Sequence, residues 1–205
     1  MAQMGRPRRF DRDEAVQQAL HLFWQHGYES TSLAQLKAHI GGGITAPSFY
    51  AAFGSKEALF REAVACYLNS HGRVNDALWD ESLPPRQAIE ISLRRSVKMQ
   101  CEADHPKGCM VALGVMAGGA EHDAAVLQPL ADSRQRTLNG FIFCVERGIA
   151  TGELAASVQP AALATVFDSF LLGVSTLARD GVSHQVLDDA VTRLLSIWDT
   201  HRPNG

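Results

Sequence analysis

The stretch 43–60, GITAPSFYAAFGSKEALF, gathers side chains suited to docking on a polyanion more than to making or breaking bonds. Thr45 offers a hydroxyl where a helix would begin, and Ala46, Pro47 and Ser48 are small enough to let a backbone approach a groove. Tyr50 and Lys56 carry a phenol and an ammonium that reach phosphates. Ala46 and Pro47 would read bases by shape or by a thymine methyl, since neither side chain forms paired hydrogen bonds. Phe49 and Phe53 suit the core beneath. The plainer alternative packs Tyr50 inward as well and leaves Lys56 a solvated charge.

Bond-making chemistry finds no such support. The chain has no GxSxG, HExxH, P-loop or dinucleotide fingerprint, so no catalytic residue and no cofactor is expected. Glu121, His122 and Asp123 read as a helix-start cluster. Cys66, Cys101, Cys109 and Cys144 are widely spaced, without the paired CxxC of a structural zinc site, and are expected as reduced thiols. Cys109 follows Lys107 and Gly108 at the start of an apolar run, where a helix dipole and an ammonium would favour its thiolate; the alternative is a small buried hydrophobe. Cys101, His105 and Cys109 recur every four residues, but Pro106 breaks the helix that would align them, so no metal is expected.

The elements that must position the docking stretch are legible around it. Over 11–26, Val16, Ala19, Leu20 and Phe23 form a helical stripe, with Asp11 and Glu14 as a capping-box-like pair and Gly27 as the stop. Ser32 and Gln35 repeat the capping logic for a short second helix through Leu33, Leu36 and Ile40, ended by Gly41, Gly42 and Gly43. Thr45 then caps a third helix with Pro47 in its first turn. Residues 1–10 hold Arg6, Arg8 and Arg9 around Pro7 and no acid, which reads as a basic arm for phosphates or a minor groove.

Taken together, GRPRRFDRDEAVQQALHLFWQHGYESTSLAQL and GITAPSFYAAFGSKEALFREA resemble the N-terminal DNA-binding domain of TetR/AcrR-family transcriptional regulators over roughly residues 5–68. The one departure is the 36–44 stretch, about two residues longer than the family pattern. The resemblance implies DNA contacts from Arg6, Arg8, Arg9, Ser32, Thr45, Ala46, Pro47, Ser48, Tyr50 and Lys56. It also implies an all-α fold: an arm at 1–10, a helix-turn-helix domain at 11–54, and a helical effector-binding and dimerisation domain at 55–205 whose residues 55–80 form a linking helix.

Charge and composition agree with that division. Of 205 residues 46% are hydrophobic, and the net charge is −3. The first sixty residues hold six basic against five acidic residues and the remainder 13 against 17, so a nucleic-acid surface belongs to the N-terminal part. No unbroken apolar run approaches eighteen residues and no apolar stretch follows the N-terminal arginines, so neither a membrane span nor a signal peptide is expected, and the expected location is cytoplasmic.

Beyond residue 80 the pattern predicts helices from Pro85 to Cys101, from Asp123 to about Gly148, from Pro160 to Ala178 and from Ser183 to about Trp198. The last two carry more apolar surface (Phe170, Leu171, Leu177, Val186, Leu194, Leu195) than one partner helix covers. The resemblance implies that they form a four-helix bundle in a homodimer that binds a double-stranded, palindromic operator. Candidate effector-lining residues are Met99, Cys109, Met110, Met116, Phe141, Cys144 and Phe167, a soft apolar set for a hydrophobic or electrophilic small molecule. The resemblance implies a repressor released by that molecule; the alternative is a same-fold redox or electrophile sensor acting through Cys109.

Overall fold

Asp11 begins helix α1 (Arg12–His26) by accepting hydrogen bonds from the backbone N–H groups of Asp13 and Glu14 at 3.0 and 3.1 Å, two of the donors a helix start leaves open. Glu14 does not return the bond, because its carboxylate takes Gln18 Nε2 instead. In this computed structural model residues 11–116 and 124–203 are described, the side chains of Val115 and Met116 excepted, and among them there is no strand.

Helix α2 (Leu33–His39) carries the complete capping box, Ser32 N–H donating to Gln35 Oε1 at 2.7 Å and Gln35 N–H to Ser32 Oγ at 3.1 Å. A 3-10 turn at Ile40–Gly42 leads to α3 (Ala46–Phe53), and Ser55 caps α4 (Lys56–Asn69). The helix expected over 55–80 stops at Asn69: Ser70 turns its hydroxyl back to the Cys66 carbonyl, and a 3-10 segment, His71–Trp79, follows. Then come α5 (Pro85–Cys101), α6 (Met110–Met116), α7 (Ala124–Ala150), α8 (Pro160–Arg179) and α9 (His184–Thr200).

Two apolar cores hold these helices. The first packs Leu20, Phe23 and Trp24 of α1, Phe49 and Phe53 of α3, and Phe60 and Tyr67 of α4, and continues into Met110 of α6 and Leu127 and Leu130 of α7. The second joins Ile89 and Leu93 of α5, Phe141 and Val145 of α7, Phe167 and Val174 of α8, and Leu195 and Trp198 of α9. Each fully buried large side chain contributes roughly 1.5–3 kcal/mol. Because the first core spans α1–α4 and α6–α7 alike, displacement of α6 or α7 disturbs the packing of the N-terminal helices.

Helix α8 is long and apolar enough, with a mean hydropathy of 1.6 in a helix of 20 residues, to pass for a membrane span by length and composition. Asp168 interrupts its apolar run. In the fold Phe167, Val174 and Ala178 of α8 are buried in the second core. On its outward side Val166 and Leu177 are 40% and 43% exposed, and on α9 Val186 is 57% exposed, so both helices carry apolar surface that the chain itself does not cover.

Candidate nucleic-acid interface and interior cavity

Helix α3 has one face in the core and one in solvent. Phe49 and Phe53 are buried, as their sequence positions predict, while Thr45, Pro47 and Ser48 are exposed and Ala46 is half-buried. Thr45 Oγ1 accepts from the Ser48 amide at 3.3 Å and lies 3.0 Å from Ser48 Oγ, so two hydroxyls sit together at the helix start. Tyr50 is 51% exposed with its ring edge-on to Phe49 at 5.6 Å, so the geometry excludes the inward-packed alternative.

Lys56 opens α4 with its ammonium 4.2 Å from the centre of the Tyr28 ring, which fixes the cation by attraction to the ring face. It is therefore a positioned charge. Ser32 is exposed but its hydroxyl is engaged in capping α2. Arg6, Arg8 and Arg9 lie outside the described residues.

The lengthened turn before α3 is absorbed by glycine. Gly41, Gly42 and Gly43 take φ of 60°, 75° and 97°, left-handed values that cost a side chain free energy, and Ile44 N–H then returns to the Lys37 carbonyl at 2.8 Å. Gln18 Oε1 accepts from Gly41 N–H at 2.8 Å, anchoring the turn to α1. Arg12 fastens the other end: its guanidinium pairs with Glu62 at 2.7 Å and lies 5.3 Å above the Phe53 ring. Neither Gln18 nor Arg12 stood out in the sequence, since their partners lie 23 to 50 positions away.

Behind α1–α4, a partly open cavity of about 40 Å³ is lined by α4, the 3-10 segment, α5, α6, α7 and α8. Met99 and Cys109 line it. Met110 does not, being buried in the first core, and Phe141, Cys144 and Phe167 are buried in the second, the two rings 6.0 Å apart. The Met116 side chain lies outside the described residues. Eight polar residues share the lining, Asn75, Ser96, Gln100, Ser133, Arg134, Thr137, Asp168 and Ser175, so it is more polar than the soft, apolar set that the sequence suggests.

These polar groups are partly organised. Asn75 Oδ1 accepts from Ser92 at 2.6 Å and Ser96 at 3.1 Å, and Ser175 donates to Gln100 Oε1 at 2.8 Å. Arg134 Nε is buried without a hydrogen-bond partner, and burial raises the Asp168 carboxyl above its ordinary range, an effect the Arg134 charge partly offsets. The signal was present: Ser92, Ser96 and Gln100 recur every four residues down the buried face of α5.

Cys109 precedes α6 as predicted, and the Val111 and Ala112 amides favour its thiolate, yet burial outweighs them and pushes the thiol up. This favours the small buried side chain, the alternative the sequence leaves open, over an activated thiolate. Tyr67 donates its hydroxyl to Cys109 Sγ at 3.2 Å, and burial holds that phenol well above its ordinary range. Cys144, donating to the Leu78 carbonyl, is pushed up to about 12 by burial. Because α5 ends at Cys101, Cys101, His105 and Cys109 share no helix face, as the break at Pro106 implied.

Comparison with known proteins follows the same geometry. Residues 15–63 match the model of the bacterial regulatory proteins, tetR family. The HTH-type transcriptional repressor ComR of Escherichia coli (strain K12) is 32% identical over 197 residues, covering 95% of this chain and 91% of that protein. The repressor BdcR of the same organism is 34% identical over 112 residues, 54% of this chain and 55% of its own. Among solved structures, a cysteine mutant of the TetR family transcriptional regulator CifR complexed with 26-bp double-strand operator DNA is 41% identical, with a TM-score of 0.82 over 95% of this chain and 100% of that one.

Proposed function

Because the chain belongs to the TetR family of bacterial transcriptional regulators, we propose that it is a homodimeric repressor released from a two-fold symmetric operator by a small molecule that enters and widens the cavity behind its reading head. The exposed face of α3 carries this reading, and the likeness to an operator-bound relative along nearly the whole chain supports it. Residues 11–54 form the head and 55–205 the effector and dimerisation domain. Thr45, Ala46, Pro47 and Ser48 face base edges, Ser32, Tyr50 and Lys56 meet phosphates, and the arm with Arg6, Arg8 and Arg9 follows the backbone. A DNA target places the protein in the cytoplasm.

The uncovered apolar side of α8 and α9, with Val166, Leu177 and Val186, is the face on which two copies join. Joined there, the two α3 helices are presented to successive major grooves about 34–36 Å apart. The effector is a small molecule with a hydrogen-bond acceptor, because a purely hydrophobic one would leave the buried Arg134 Nε without a partner. A hundredfold preference for the non-binding state supplies about 2.7 kcal/mol of coupling.

A thermal-shift screen of small polar compounds, followed by operator release, tests this assignment. A compound that raises Tm and releases operator from the wild type, but does neither with Ser96→Leu, which fills the cavity, supports it. Equal release from the filled variant would place the effector elsewhere. The second reading, a redox sensor, is favoured by one contact: oxidation of Cys109 would break its bond with Tyr67 of α4.

A further inference from the structure

Between α5 and α6 the chain brings Glu102, Asp104 and His105 together under the reading head. The His105 side chain is 1% exposed, and its Nδ1 lies 3.0 Å from the Pro106 carbonyl oxygen. A carbonyl only accepts, so Nδ1 carries the proton and Nε2 presents a lone pair. That Nε2 is buried without a hydrogen-bond partner; it points at Glu102 Oε2, 3.7 Å away, and Asp104 Oδ1, 3.9 Å away. The three atoms lie within 4.8 Å of one another.

Two carboxylate oxygens converging on a buried imidazole nitrogen that makes no hydrogen bond leave a place for a cation, either a second ring proton or a metal ion. We propose that Glu102, Asp104 and His105 hold a divalent first-row transition ion of the zinc, cobalt or nickel type, with water completing its shell. One imidazole and two carboxylates suit such borderline ions, and bonds of about 2.1 Å would need the atoms to close by only a few tenths of an ångström. The backbone carbonyl on Nδ1 is the outer-shell partner that fixes a ligating histidine. An open cleft, which His21, Lys107 and Arg179 also line, gives the ion access from solvent. Arg179 is directed elsewhere, donating to the Trp24 carbonyl at 2.9 Å. Because the His105 ring stacks on Trp24 at 4.4 Å, an ion here stiffens the turn on which α1 rests.

The site departs from the expectation that the chain binds no metal. It was hidden because the sequence pairs His105 with cysteines four residues away, whereas the fold pairs it with carboxylates.

The test uses untagged full-length protein, stripped with chelator, titrated with cobalt(II) and zinc(II) by calorimetry and visible absorption. The wild type is expected to take up one ion per chain, to show cobalt d–d bands free of thiolate charge transfer, and to gain Tm. Glu102→Gln with Asp104→Asn, both on solvent-facing side chains, should weaken binding at least tenfold and remove the Tm gain, and His105→Gln should do the same. Absence of saturable binding, thiolate charge-transfer bands, or equal affinity in the carboxylate variant would overturn the proposal.

Discussion

The indole N–H of Trp24 donates to the carbonyl oxygen of Gly108 at 3.1 Å, joining residues 84 positions apart. Trp24 belongs to α1 of the head, and Gly108 to the turn that ends beside the cavity-lining Cys109. The bond is tightly framed: a Cβ on Gly108 would come within 2.7 Å of Ser175 O, and φ there is 82°. Trp24→Phe keeps an aromatic ring against Tyr67 but leaves a carbonyl unpaired, so unfolding free energy should fall by about 1–3 kcal/mol. Urea titration measures this, and an unchanged midpoint would show that the seam does not depend on the bond.

Tyr50 and Lys56 should act together on salt dependence. Replacing them as Tyr50→Phe with Lys56→Ala should weaken operator and random DNA alike. The slope of log affinity against log salt should fall by about 0.9 for each phosphate that the variant no longer neutralises. Anisotropy titrations at several salt concentrations read the slope directly, and an unaltered slope would remove both residues from the interface.

The glycine turn makes a separate prediction about stability. Nothing lies within 4 Å of a Cβ built on Gly42, so Gly42→Ala meets only the strain of its φ of 75°, which costs about 1–2 kcal/mol. Denaturant melts would show it, and a neutral substitution would mean that the turn relaxes freely.

Helix order, the Ser32 and Thr45 N-caps and the solvent face of α3 were legible in the sequence, because capping residues and apolar periodicity act over three or four positions. Ser32 with Gln35 and Phe49 with Phe53 are local in that sense. The cavity was not legible. Met110 and Phe141 have the composition of a ligand site but fill cores, while Arg134 and Asp168 line one cavity only because α7 and α8 pack together. The same limit hid the Arg12 contact with Glu62 and the cluster around His105.

Asp168 should give stability a pH dependence of definite sign. Its folded pKa lies above the ordinary 3.8, so the folded chain holds the proton more tightly than the unfolded one. That contribution is fully present below the unfolded value and is lost as pH rises through the folded value. Asp168→Asn, which cannot ionise, should therefore gain Tm relative to the wild type as pH rises from about 4 to about 7. A constant difference would show that burial does not perturb this carboxyl.

Thiol chemistry separates the two readings of the input. With Cys109 and Cys144 held protonated by burial, both should alkylate more slowly at pH 8 than Cys66, which takes a hydrogen bond from Gln17 near the surface. Peroxide should leave operator affinity unchanged in wild type and Cys109→Ser alike. A fall in affinity in the wild type that Cys109→Ser abolishes would select the redox reading.

Selection of genomic fragments by the purified protein at physiological salt, followed by footprinting of the enriched duplex, tests the central claim most directly. Dimeric binding through α3 predicts a two-fold symmetric protected site with half-site centres one helical turn, about 34–36 Å, apart. Absence of enrichment over random DNA, or protection of a single unsymmetric half-site by the folded protein, would contradict it.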